Sequence, residues 1–358
     1  MEHQVVSKNE QTSDQIRFAV IGCGSIAENY HLPAMQNIGG FSFVLACDLI
    51  ESRTQLFADK FGADRQSLNY LDAIASEDVD LVCIFTKVDS HAEIAIAAAN
   101  AGKHIFLQKP LARSLEEGNK IHCAVRSNGV RLVSSFMHSY FPESLEASKW
   151  VRNGRIGRVE LIRQRNATGN PRDVVASYGG AIIDIGAHGI ALVRDITGQD
   201  IVRLVATVDS NPTSALNSDN LDAPLNGDEL NAVILYELSG GIMVTHEVQY
   251  AQRGGTERFQ TEIYGDKGSI LLRVPRTGEA MAVSHLRGMP DGENRHFDWT
   301  IPKLDQRAFG QAHHEAVLAA IQDNSRELED DTGMAVLRVC DAIRRSISAR
   351  GWVDLQRH

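Results

Sequence analysis

Hydrophobic positions divide the chain into two textures. From Ile16 to about residue 138, short apolar runs alternate with stretches of helical spacing. The runs are IRFAVIG (16–22), FSFVLACD (41–48), DLVCIFT (80–86), HIFLQKP (104–110) and VRLVSSF (130–136). Their apolarity is continuous rather than alternating, as strands covered on both faces require. The stretches 26–38, 51–62, 68–76, 90–102 and 114–128 predict helices between them. Such alternation implies a parallel sheet with right-handed crossovers. Beyond about Tyr140 the pattern changes. A helix is expected over 143–152, a strand with one wet face from Val159, and a helix over 181–197. The segments 201–209, 230–238, 241–250, 258–265 and 269–275 follow. Short turns at SGG (239–241) and GDKG (265–268) join several of them, which reads as an antiparallel sheet. The Ser-, Asn-, Asp- and Pro-rich stretch 210–229 predicts a long surface loop, and helices are expected over 305–323 and 331–349. The organisation is therefore a flexible tail over 1–15, an α/β unit over 16–138 and an α+β unit over 139–358.

Composition narrows the function classes. The 358 residues are 43% hydrophobic and 23% charged, ordinary for a globular protein. Acidic residues number 46 and basic residues 36, an excess that argues against coating nucleic acid or an anionic membrane. No apolar run reaches the length of a membrane span, and the N-terminus has no signal-peptide core. The five cysteines, Cys23, Cys47, Cys83, Cys123 and Cys340, form no C-x-x-C pair. They read as small buried hydrophobes in a reducing, cytoplasmic setting.

The strongest local signal is AVIGCGSIAENY. Gly22, Gly24 and Ala27 form G-x-G-x-x-A after the first strand, where Ser25 and Ile26 open a helix. Gly22 permits a tight turn, Gly24 lets backbone approach a pyrophosphate, and Ala27 keeps the helix close to the sheet. Asp48 closes the second strand, where a carboxylate receives ribose hydroxyls and repels the extra phosphate of NADP. NAD is therefore favoured. Arg53, one turn on, keeps NADP open.

Two further features carry chemistry. Lys109 follows a buried strand and precedes Pro110, aimed at the edge where open α/β sheets bind ligands. A cation there polarises a carbonyl or orients a hydroxyl. In GGAIIDIGAHGIALVRDITG, Asp184 and His188 are four residues apart and share one face of the expected helix. A near-neutral histidine takes the proton released when an alcohol is oxidised. The carboxylate beside it holds a substrate hydroxyl and biases the imidazole. Two ligands at this spacing are too few for a metal site.

The run TKVDSHAEIAIAAANAGKHIFLQKPLARS (86–114) resembles the glucose–fructose oxidoreductase / inositol dehydrogenase / MocA-like family. The likeness extends over nearly the whole chain from Ile16, through GRIG (154–157), GGAIIDIGAHGI (179–190) and GDKGSI (265–270). It implies a Rossmann dinucleotide-binding domain followed by an α+β domain on a large, open, mostly antiparallel sheet. It implies NAD(P)-dependent redox chemistry on a sugar, a cyclic polyol or a sugar derivative. A homo-oligomer, dimer or tetramer, is implied as cover for the sheet. By the same resemblance Lys109, Asp184 and His188 are catalytic, and Thr86, His91 and Gln108 lie with the cofactor near the nicotinamide. Gln108 stands where the family usually has Glu, so Lys109 has a neutral neighbour, and T-K replaces T-P at Thr86–Lys87. His138, Tyr140, Arg163, Arg165, Asn166 and Tyr178 are specificity candidates. His313 and His314 read as surface or packing residues that could enter the pocket. The alternatives are an enzyme that cleaves glycosides through transient oxidation by NAD, and a dinucleotide-binding sensor without catalysis.

Overall fold

A computed structural model describes residues 15–171, 174–175, 178–208, 229–252, 257–275, 279–286, 297–323 and 331–355. Residues 1–14 of the expected tail and 210–228 of the expected loop lie outside the described residues.

The first sheet is built from β1 (Ile16–Ile21), β2 (Phe41–Cys47), β3 (Arg65–Ser67), β4 (Leu81–Ile84), β5 (His104–Gln108) and β6 (Leu132–Ser135). All pairings are parallel, in the order β3-β2-β1-β4-β5-β6. That is the doubly wound dinucleotide-binding order, with its reversal between β1 and β4. The helices are α1 (Leu32–Ile38), α2 (Glu51–Phe61), α3 (Tyr70–Ala75), α4 (His91–Asn100) and α5 (Leu115–Asn128). Every residue of β4 is buried, as its unbroken apolarity predicts. The expected helix at 26–38 is two pieces. A π-helical turn over Ala27–His31 precedes α1.

A 3-10 turn (Met137–Tyr140) leads to α6 (Pro142–Arg152). Next come β7 (Val159–Ala167), a second π-helical turn (Ile182–Gly186), α7 (Ala187–Thr197), β8 (Ile201–Val208), β9 (Asn231–Leu238), β10 (Met243–Gln249), β11 (Glu257–Gly265), β12 (Gly268–Pro275), β13 (Met281–Leu286) and β14 (Phe297–Thr300). The chain closes through α8 (Gln311–Gln322), α9 (Asp331–Ala349) and β15 (Val353–Asp354). The second sheet has nine strands in the order β14-β13-β12-β11-β7-β10-β9-β8-β15. It is antiparallel except between β7 and β10. Ile162 of β7 pairs with Val244 of β10 and Ile263 of β11, and all three are fully buried in the core shared with α7 and α9. Alternate residues therefore point to the outer face.

The last helices tie the halves together. Val317 and Ile321 of α8 join the core formed by β1 and α1, and Met334 and Leu337 of α9 join the core under α5. The expected helix at 305–323 starts only at Gln311, because Gly310 is left-handed with φ +80°. Four cysteines are buried and Cys123 is exposed, the exception to the expected pattern.

Candidate functional site

The ends of β1, β4 and β5 meet at the switch point of the first sheet. Gly22 leaves β1 with φ +99°, and a Cβ there would lie 2.8 Å from the Phe85 carbonyl. Glycine is the one residue that tolerates both. At Gly24 nothing lies within 4 Å of where a Cβ would stand. Helical geometry begins at Ser25, and the first N–H groups of a helix have no intrahelical acceptor. Ala27 is fully buried against the sheet. Asp48 stands beside this turn. Its Oδ2 accepts the Cys23 N–H at 2.9 Å and its Oδ1 the Ile50 N–H at 3.0 Å. It thus braces the glycine turn, and each oxygen keeps a lone pair for a second donor. The Arg53 guanidinium stands 3.9 Å away. Leu49, 90% exposed, and Ile50 flank it with apolar surface. This cradle fits a dinucleotide.

Lys109 reaches from the end of β5 across to the second π-turn. Its Nζ donates to Asp184 Oδ1 and to the Asp184 carbonyl, both at 2.6 Å. Each side chain is only 15% exposed. A π-turn is a common distortion at functional sites, and this one presents both acceptors of Asp184 to the same ammonium. The expected Asp184–His188 partnership is corrected here, because the carboxylate turns to Lys109. His188 instead lies flat on His138, with ring centroids 4.2 Å apart. Its buried Nδ1 has no hydrogen-bond partner among the described residues. Burial, then the neighbouring His138, Lys109 and Arg258, hold its pKa well below the ordinary value. The His188 ring is therefore neutral at neutral pH. Burial, with Arg258 and Lys109, holds His138 down to about 3.

The N-terminal family model, described as an oxidoreductase family with an NAD-binding Rossmann fold, matches residues 16–136. The GFO/IDH/MocA C-terminal domain matches residues 144–271. The chain belongs to the GFO/IDH/MocA oxidoreductase family. An inositol 2-dehydrogenase of Rhizobium meliloti is 25% identical over 345 residues, covering 95% of this chain and 99% of that protein. An uncharacterised oxidoreductase of Bacillus subtilis is 30% identical over 258 residues, 71% of this chain and 73% of that protein. The solved structure of a levoglucosan dehydrogenase with NADH and levoglucosan superposes with a TM-score of 0.80 at 22% identity, covering 96% of this chain and all of that one. The first sheet of this family member is thus its NAD-binding Rossmann domain, and the expected fold class holds.

The other expected site residues of this family member are placed by their burial and hydrogen bonds. His91 is fully buried, with Nδ1 2.8 Å from the Pro110 carbonyl and Nε2 3.1 Å from that of Thr86. Burial keeps its pKa low, so the neutral ring donates to one carbonyl at a time. It braces the ends of β4 and β5. Gln108 is also buried, turned toward His31 and the Lys109 backbone. Thr86 remains at the open edge, its hydroxyl accepting from Ser90. Ile26 is half-buried beside the loop. Asn166 points into the core, bonded to His246, against Gly189 of α7. Arg163 and Arg165 alternate with it onto the outer face, where they meet Glu262 and Gln249. Tyr178 stays exposed near the site. Tyr140 stacks on His313 at 4.7 Å, and His313 and His314 are buried packing residues.

Sequence reading missed Tyr250 and His31. Tyr250 follows β10, fully buried, and its hydroxyl has no partner of good geometry among the described residues. Burial is the main cause that pushes it up to about 12, with Asp184 and Tyr178 adding their charges. Its place at the end of a predicted strand was the available signal. No group of three or more His, Cys, Asp or Glu among the described residues is arranged to hold a metal.

Proposed function

We propose that the chain transfers a hydride equivalent between NAD and a secondary hydroxyl of a sugar, cyclic polyol or sugar derivative. The observation that carries this reading is the Lys109–Asp184 pair beside a neutral, buried His188. When bound, the nicotinamide supplies the two-electron redox chemistry. The chain supplies the rest. Lys109 has three N–H donors and spends two on Asp184, leaving one for the reacting oxygen. His188 takes the hydroxyl proton in oxidation and returns it in reduction. Asp184 receives a neighbouring hydroxyl, and Tyr250, Tyr178 and His138 shape the space around it. The substrate class follows the relatives named for inositol and levoglucosan.

Asp48 favours NAD, since a carboxylate beside the ribose repels a 2′-phosphate. The protein acts in the cytoplasm as a homo-oligomer, in this reading, with a second copy covering the sheet's outer face around Arg163 and Leu161. None of the helices among the described residues is long and apolar enough to cross a membrane.

The test is a paired fluorescence titration with NADH and NADPH, followed by a turnover screen of inositols, anhydrosugars and aldoses. Tighter NADH binding and reduction of NAD by one of these classes is the expected result. A preference for NADPH would shift recognition to Arg53. Binding of neither would remove the Gly22–Gly24 cradle from the argument.

A further inference from the structure

Behind the site lies a second group of histidines that the proposed chemistry does not use. His31 ends the first π-turn, His313 and His314 begin α8, and all three are buried. Their hydrogen bonds run in one direction. Gln108 Oε1 accepts the Lys109 backbone N–H at 2.8 Å, so its NH2 group is what faces His31 Nε2 at 3.2 Å. An amide nitrogen donates and does not accept. His31 Nε2 is therefore bare, and the ring's proton sits on Nδ1. That N–H points at His314 Nε2, 2.9 Å away. The His314 proton must then sit on Nδ1, where it meets the Gly310 carbonyl at 2.8 Å. Every donor finds an acceptor only when both rings are neutral Nδ1–H tautomers.

The surroundings enforce neutrality. Phe85 stacks on His31 at 4.0 Å, and Phe106 stands edge-on to it. The titratable neighbours are Tyr30, whose hydroxyl meets His313 Nδ1 at 3.2 Å, and Tyr140, stacked on His313. Burial, then the other two histidines, hold His31 well below its ordinary range, and burial holds His314 at about 4. A glutamate at position 108 would reverse the order. Its oxygens would accept from both Lys109 and His31, His31 would accept from His314, and His314 would turn a lone pair on the Gly310 carbonyl or take up a proton.

We infer that His31 and His314 are positioning residues for Lys109. They act through the Gln108 amide, so that a proton-ordered chain from Gly310 of the C-terminal half fixes the strand end from which Lys109 reaches Asp184. The inference rests on the reading of Lys109 as the group that orients substrate. It also gives the amide at position 108 a physical reason. An amide offers one donor and one acceptor in fixed places, and a carboxylate offers acceptors alone.

The first experiment is 15N NMR of histidine-labelled full-length protein at neutral pH. It reads tautomers directly and needs no substrate, so it stands even if the polyol reading fails. Two Nδ1–H rings assigned to His31 and His314 are expected, and an Nε2–H or cationic ring at either position overturns the inference. The second experiment is kinetic. His314→Ala should lower kcat roughly tenfold through lost alignment while NADH affinity stays the same. His314→Gln, whose Oε1 can accept the His31 N–H, should recover most of that loss. Equal loss in both variants, or no loss in either, overturns the positioning role. Should the alanine variant fail to fold, Gln108→Glu decides. Its kcat–pH profile must gain an ionisation that the wild type lacks, and an unchanged profile overturns the inference.

Discussion

Two pairs of histidines lie near Lys109, and they are built differently. His31 and His314 are bonded end to end, with partners for all four ring nitrogens. His138 and His188 touch face to face, and the buried Nδ1 of His188 has no partner among the described residues. Burial keeps all four rings neutral. An unsatisfied buried polar atom costs about 1–3 kcal/mol, and the same fold avoids that cost at His31 and His314. A satisfied network sets geometry, and the unpaired Nδ1 of His188 is the acceptor that the proposed chemistry uses.

The sharpest way to break the comparison is to remove the group between the two pairs. Lys109→Met keeps the stem's apolar packing and deletes the ammonium. Turnover should fall roughly 10³-fold, within the range for a lost polarising or proton-handling group. NADH affinity, read by fluorescence, should be unchanged, because the glycine cradle is separate. Retained turnover would take Lys109 out of the mechanism.

The shared neutrality of the two pairs has a pH consequence. His31, His188, His246, His313 and His314 are buried with lowered pKa values, about 3 for His246 and about 4 for His314. In the unfolded chain each titrates near 6.5. Below that pH the unfolded state binds protons that the folded state refuses, so stability falls as pH falls. Above it their contribution is fully present and flat. Each ring adds up to about 1.4 kcal/mol per pH unit to the slope, until its folded pKa is reached. Urea melts on either side of pH 6.5 measure this, and equal stability on both sides would mean that the rings are not buried neutral.

Much of this was legible in the sequence, and the part that was not has a physical reason. Strands β1, β2, β4, β5 and β6 announced themselves because burial on both faces demands unbroken apolarity. The strand β3, with the sequence RQS, escaped because three polar edge residues carry no period. The two π-turns escaped because they answer to tertiary packing. The pairing of Lys109 with Asp184 spans 75 residues of chain, and no local spacing encodes it. Period-2 alternation in β7 could have separated Arg163 from Asn166, since one face is core and the other solvent. Gly310, inside a stretch read as helix, was the signal for the true start of α8.

Cofactor recognition sharpens the comparison at a smaller scale. Asp48 carries both a bracing role and the proposed ribose contact. Asp48→Ala should weaken NADH roughly tenfold, the worth of one hydrogen bond to a charged group. NADPH should weaken less, so the preference narrows. A variant with unaltered NADH affinity would leave Asp48 as a turn brace alone.

The smallest expected effect isolates what His138 does for His188. The two rings stack at 4.2 Å, with Phe259 edge-on to His138, and the charges facing His188 are Lys109 and Arg258. Stacked aromatic pairs contribute about 0.5–1.5 kcal/mol beyond area burial. His138→Phe keeps the stacking and removes a ring that can itself take up a proton. The stack should hold, so turnover at alkaline pH should change little. The His188 pKa should rise, because one neighbour that opposes its protonation is gone. The acid limb of kcat/KM should therefore move to higher pH. His138→Ala separates the two effects, since it removes the stacking as well and should lower turnover across the whole profile. If the acid limb stays in place in the phenylalanine variant, His138 serves His188 only as a packing surface. The contrast between the two histidine pairs then rests on the unpaired Nδ1 alone.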